Sequence, residues 1–219
     1  MKFDISGNPD YGDLTVAMEP GDAIWAESGG MNRMSSHLAM KTHMVGGLAQ
    51  SVVRKFLGGE SLFVAEYTAS QLGFIGISPA TPGSVLHREM TGDSFMLTAG
   101  AFLACTPGMD LSPRFGGMRS FFSGEGVVLI EVTGTGDLFY NAFGGVVERE
   151  IDGELVVDTG HVVAWEPSLD YTISGMGGIK QTLFSGEGLV MKFTGRGRLY
   201  LQTRHLGGLA GWLSPYCVG

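Results

Sequence analysis

The sequence predicts an all-β protein built from three in-line copies of one unit of about sixty residues. Three observations carry this expectation. The chain holds 36 glycines among 219 residues, more than double the usual share of about 7 %. The glycines punctuate apolar stretches instead of collecting in a linker, as expected for many short strands joined by tight turns. Related blocks recur along the chain, and within them the apolar period is mostly two.

The clearest repeat sets Phe121 to Tyr140, FFSGEGVVLIEVTGTGDLFY, against Leu183 to Leu201, LFSGEGLVMKFTGRGRLYL. A third copy, Phe56 to Ile75, reads FLGGESLFVAEYTASQLGFI. This alignment makes Gly59, Gly124 and Gly186 equivalent. Upstream, Gly12, Gly83 and Gly144 each precede Gly21, Gly92 and Gly153 by nine residues. Further on, Leu38, Met109 and Leu169 correspond, as do Met40, Leu111 and Tyr171. Leu38, Met109, Leu169, Leu111 and Tyr171 are expected in the core. Val127 to Val132 and Leu189 to Phe193 are rich in branched and aromatic residues and read as strands. The units are placed at about 10–80, 81–142 and 143–205, packed as one compact domain around an approximate threefold axis, with an apolar segment at 206–219.

The first copy carries an insertion, LAQSVVRKFLG. Leu48, Val52 and Phe56 fall on one helical stripe with Ala49, Val53 and Leu57 beside it. A short helix is expected there, packed on its own barrel or docking a partner or an anionic membrane surface.

Composition limits the function. Charged residues make up only 16 %, and the mean hydropathy is +0.17, so apolar surface must go into a core or a subunit interface. A net charge of −8 argues against general nucleic-acid binding. Two cysteines without a paired motif, Cys105 and Cys217, read as free thiols in a reducing compartment. The N-terminus lacks the apolar core of a secretion signal, and no stretch reads as a spanning helix. A cytoplasmic location is the expectation.

No catalytic, metal or cofactor signature stands out. The five histidines show no pair two residues apart of the kind a β-helix metal site uses. Beside the repeat glycine Gly160, His161 has Gly30 and Ala101 as its counterparts, so it reads as a hydrogen-bonded structural histidine. The blocks containing Arg119 and Lys180 lack the Gly-Lys-Ser/Thr ending of a phosphate loop. No nucleophile elbow occurs, and no enzyme activity or cofactor is expected. Glu60, Glu125 and Glu187 form the sharpest repeated polar set. Converging on an axis, they could hold a hard cation; facing outward, they would accept hydrogen bonds from their own glycine turns.

The opening PDYGDLTVAMEPGDAIWAESGGM, the paired GG…SGEG blocks, DTGHVVAWEPSLDY and the closing LYLQTRHLGGLAGWLSP resemble the altered inheritance of mitochondria protein 24 family. The resemblance runs from Met1 to about Pro215. It implies a triplicated fold similar to that of the tryptophan RNA-binding attenuation protein, a short double-stranded β-helix. It also implies scaffolding or membrane-associated assembly, but it supplies no site residues. RNA binding follows only by analogy with that fold, and a basic position in each copy is lacking, since Gln50 aligns with Arg119 and Lys180. A small-molecule enzyme in a β-helix cavity is the other alternative. The leading expectation is a non-enzymatic binding or scaffolding protein that forms homo-oligomers and engages a protein or membrane-surface partner. The candidate interface is Leu48, Val52 and Phe56 together with Trp212 and Leu213 of the uncharged C-terminal stretch, meeting within one chain or across subunits.

Overall fold

Alternation of apolar and polar residues makes the strands. In β2 (Asp13–Met18) Leu14, Val16 and Met18 point inward, and in β3 (Ala23–Glu27) Ile24 and Ala26 do so, the period-two pattern of a half-buried strand. A computed structural model describes residues 1–44, 63–116, 127–175 and 189–217. The fold is predominantly β. The remaining strands of its first part are β1 (Lys2–Ser6), β4 (Met31–Met34), β5 (Leu38–Met44), β6 (Phe63–Ala69) and β7 (Gly73–Ile77). The middle comprises β8 (Gly83–Thr98), β9 (Phe102–Cys105), β10 (Asp110–Gly116) and β11 (Val127–Phe143). The last part comprises β12 (Val146–Asp158), β13 (Val162–Trp165), β14 (Leu169–Gly175) and β15 (Leu189–Gln202), followed by one helix, α1 (Leu206–Leu213).

Every named strand pair is antiparallel. β2 pairs with β7, β8 with β11, and β12 with β15. β5 pairs with β6, β10 with β11, and β14 with β15. Two short ladders join successive parts. β3 meets β9 with Trp25 opposite Cys105 and Ala26 opposite Ala104. β8 meets β13 with Met96 opposite Trp165 and Leu97 opposite Ala164. The strands form a four-stranded sheet, β1-β2-β7-β4, and an eleven-stranded sheet whose order begins at β12. Both β4 and β12 therefore end a sheet order, and no described pair joins them.

The core lies in three apolar clusters that interlock across these junctions. The first includes Leu14, Ile24, Tyr67 and Ile77 and borrows Leu103, Ala104 and Phe139 from the middle. The middle cluster includes Phe95, Ile130 and Tyr140 and borrows Val163, Ala164 and Tyr200. The last gathers Trp165, Leu169, Met191, Phe193 and Leu199 with Met96 and Leu129. Because each cluster draws on a neighbour, removing one part would expose apolar area in the next.

Leu38, Met109, Leu111 and Leu169 are buried as expected, while Tyr171 is only half-buried. Tyr171 lies near the cluster's rim, edge-on to Trp165 with ring centroids 5.2 Å apart. Its ring packs against the cluster while part of the residue stays exposed. The repeated glycines also meet. Gly12 donates its N–H to the Gly83 carbonyl, Gly83 forms a β-bridge with Gly144, and Gly144 donates to the Pro82 carbonyl. At Gly83 φ is +155°, and a Cβ there would overlap the Ala142 carbonyl and the Gly144 backbone. Only glycine allows that approach.

The expected helix over Leu48 to Leu57 lies outside the described residues, as do Gly59, Gly124 and Gly186. The described α-helix is α1, in the stretch 206–219 expected only to be apolar. Its glycines, Gly207, Gly208 and Gly211, lower helix propensity. The His205 ring compensates by capping the first turn, with Nδ1 accepting from the Gly208 N–H at 3.1 Å. A Cβ on Gly208 would collide with that ring, so the glycine that weakens the helix also admits its cap.

Candidate functional site

Two exposed features stand apart from the core among the described residues: the outer edge of β12, which has no described partner there, and the helix α1. The outer half of β12 carries Leu155, Val156 and Val157, with Val156 55 % exposed. It borders an open cleft of about 600 Å³ lined by Arg149, Ile151, Leu155, Val156, Val157 and His161, among others. The same cleft carries Glu150, Asp152, Glu154 and Asp158, so its rim is predominantly acidic.

No residue of α1 is buried. Leu206, Leu209, Trp212 and Leu213 are exposed, as is Tyr216 beyond the helix. Trp212 and Tyr216 pack on each other with centroids 5.7 Å apart. No charged side chain occurs from Leu206 onward. This is the only α-helix among the described residues, and none of the helices there is long and apolar enough to cross a membrane.

Another strand that ends a sheet order among the described residues, β4, has a polar face. The Arg33 guanidinium donates to Asp13 Oδ2 at 2.6 Å and Oδ1 at 3.0 Å, and also to the Thr15 hydroxyl. Asn32 and Ser78 donate to Asp13 as well. Arg33 first, then these donors, overcome partial burial and lower the Asp13 pKa to about 2. The Arg33 side chain passes over Gly76, where a Cβ would sit 2.6 Å from the guanidinium carbon.

Two polar groupings lie elsewhere. His87 Nε2 is 2.8 Å from Asp137 Oδ1, and its ring packs on Phe3 and Phe139. Arg88 pairs with Asp93 and lies 4.4 Å over the Phe95 ring. Phe95, Tyr140 and Tyr200 meet edge-on at 5.6–6.1 Å, and burial raises both tyrosine pKa values. Between β8, β11 and the start of α1 lies a second cleft, of about 510 Å³. Its wall includes Asn141, whose buried Oδ1 has no hydrogen-bond partner.

Among the sequence-predicted residues, Glu60, Glu125 and Glu187 lie outside the described residues, as do Leu48, Val52, Phe56, Gln50, Arg119 and Lys180. Trp212 and Leu213 are placed together on α1. His161 is hydrogen-bonded, with Nδ1 2.7 Å from the Gln202 carbonyl oxygen, and its ring stands edge-on to His205 at 4.9 Å. Cys105 is buried, and burial pushes its thiol up to about 12, which makes it a poor nucleophile. Cys217 is exposed. Among the described residues, no three His, Cys, Asp or Glu side chains are grouped to hold a metal. Sequence reading missed the β12 cleft and the Asp13–Arg33 network. Both depend on which strand edge remains uncovered, and no local pattern encodes that.

The fold and these surfaces define an all-β protein with sheet edges unpaired among the described residues and an uncharged, exposed helix at Leu206–Leu213. Residues 3–204 match the mitochondrial biogenesis AIM24 family, and the chain belongs to that family. It is 29 % identical over 229 residues to an uncharacterised protein of Streptococcus pyogenes serotype M6, covering 99 % of this chain and 91 % of that one. It also resembles the crystal structure of a Streptococcus pyogenes protein determined in a structural-genomics programme. That likeness has a TM-score of 0.83 and 29 % identity, covering 98 % of this chain and 99 % of the other. The detailed function of the family is unknown, and these relatives assign none.

Proposed function

We propose that this chain is a non-enzymatic scaffolding protein that self-assembles in the cytoplasm and presents an apolar surface to a protein or membrane partner. The observation that carries the reading is α1. An exposed segment outside the sheets is ordinarily polar. This one keeps four large apolar helical side chains in water, at about 25 cal/mol for each Å² left uncovered. Trp and Tyr together suit a surface that becomes buried on contact, because both combine a large apolar body with a polar atom.

Three copies of one unit, of the kind seen in the tryptophan RNA-binding attenuation protein, complete the proposal. Support comes from the ladders. The pairings β2–β7, β5–β6 and β3–β6 have counterparts within β8 to β11 and again within β12 to β15. Equivalent core positions, Leu38, Met109 and Leu169, are all buried. Two described junctions, β3–β9 and β8–β13, join successive copies, and the corresponding edges β12 and β4 have no described partner.

The test compares the parent protein with Trp212→Ala by light scattering and by co-sedimentation with phosphatidylcholine vesicles. A lower mass in the variant places α1 in a subunit contact, and lost sedimentation places it on a lipid surface. If the parent neither associates nor sediments and captures no protein through α1, the reading fails.

A further inference from the structure

We infer that the edge of β12 left unpaired among the described residues pairs with β4 of a second copy, extending the ladder that joins successive parts within the chain. The inference rests on the self-assembly reading above and supplies its geometry.

The template is internal and occurs twice. Trp25-Ala26 of β3 pairs with Cys105-Ala104 of β9, and Met96-Leu97 of β8 pairs with Trp165-Ala164 of β13. The intrachain ladders fix the third equivalents. Ala23, Ser94 and Glu154 face Thr68, Thr133 and Thr194 respectively, so Val156-Val157 stands where Trp25-Ala26 and Met96-Leu97 stand. Met31, Phe102 and Val162 likewise face Ile77, Tyr140 and Leu201. Arg33-Met34 therefore stands where Ala104-Cys105 and Ala164-Trp165 stand. Continuing the pattern places Val156 opposite Met34 and Val157 opposite Arg33 of the next copy.

Exposure follows the same logic. At the two filled junctions Ala26, Leu97, Ala104, Cys105, Ala164 and Trp165 are 0 % exposed, Met96 is 8 % exposed, and Trp25 is half-buried. At the unfilled positions Val156 is 55 % exposed, Arg33 is exposed, and Val157 and Met34 are half-buried. The 600 Å³ cleft flanks β12 on this stretch.

An unpaired strand edge beside apolar side chains is a template for another strand. Here donor and acceptor edges are different surfaces of the same chain. Each copy can therefore give one and take one, a heterologous contact that propagates.

The experiment uses the full chain carrying Cys217→Ser, so that the remaining native thiol is the buried Cys105. Met34→Cys and Val156→Cys are made separately, mixed and mildly oxidised. Facing residues in an antiparallel pair lie about 4.5–5.5 Å apart at Cα, within disulfide reach. The expected result is a reducible dimer in the mixture and none with either variant alone. In parallel, Val156→Glu should lower the mass of the parent assembly to that of the monomer, with an unchanged circular-dichroism spectrum. A parent that is monomeric at ~100 µM, a mixture that does not cross-link, or a Val156→Glu protein of unchanged mass each overturns the inference. If Trp212→Ala lowers the mass and Val156→Glu does not, assembly runs through α1 and the strand-edge contact is refuted alone.

Discussion

Trp165 offers a decisive test of how the last apolar cluster is built. Its side chain is 0 % exposed. It sits edge-on to Tyr171 at 5.2 Å and to Phe193 at 5.4 Å, against Leu169, Met191 and Leu199. Its indole Nε1 is buried without a hydrogen-bond partner. Truncation by Trp165→Ala should cost about 3–5 kcal/mol, the range for a large aromatic removed from a packed core. Trp165→Phe separates packing from polarity. The smaller ring forfeits about 1–2 kcal/mol of burial and contact. Removing the unpaired N–H returns about 1–3 kcal/mol of desolvation. The two nearly cancel, so Trp165→Phe should lie within about 1 kcal/mol of the parent. Urea unfolding followed by far-ultraviolet circular dichroism measures both variants without relying on tryptophan emission. If Trp165→Phe proves as costly as Trp165→Ala, either the N–H has a partner or the full indole outline is required, and the cancellation is refuted.

Two further outcomes follow from the fold. Leu169→Ala, at a position 2 % exposed, should destabilise by about 2–5 kcal/mol; an unchanged urea midpoint would show that β14 is not held by this side chain. Asp13 has a folded pKa lowered to about 2, chiefly by Arg33, so its contribution to stability is present above the ordinary carboxylate range, near pH 4. It is lost as pH falls through about 2. Asp13→Asn should therefore flatten the acid limb of stability between about pH 4 and 2, as measured by urea midpoints across that window. An acid limb unchanged by the substitution would rule the network out.

Much of this protein is legible in one dimension. Period-two alternation at Leu14, Val16 and Met18, the glycine punctuation, and the burial of Leu38, Met109, Leu111 and Leu169 all follow from local side-chain chemistry. The chain needs no distant partner to decide which face of a strand is apolar. Tyr171 shows where that reading weakens, because its burial depends on how close to the rim its strand lies. The helix at Leu206–Leu213 shows another limit. Three glycines argue against a helix locally, and the His205 cap that favours it is a particular ring orientation that composition does not report.

What only the tertiary structure decided is which strand edges are covered. Val156-Val157 and Met96-Leu97 are chemically similar apolar pairs, yet β8 is sealed by β13 while β12 has no partner on that edge among the described residues. Each strand has the same backbone hydrogen-bonding capacity on both sides. Whether a neighbour arrives depends on where distant residues of the chain are placed. Hydrophobic pattern fixes the face of a strand and leaves its edges undetermined.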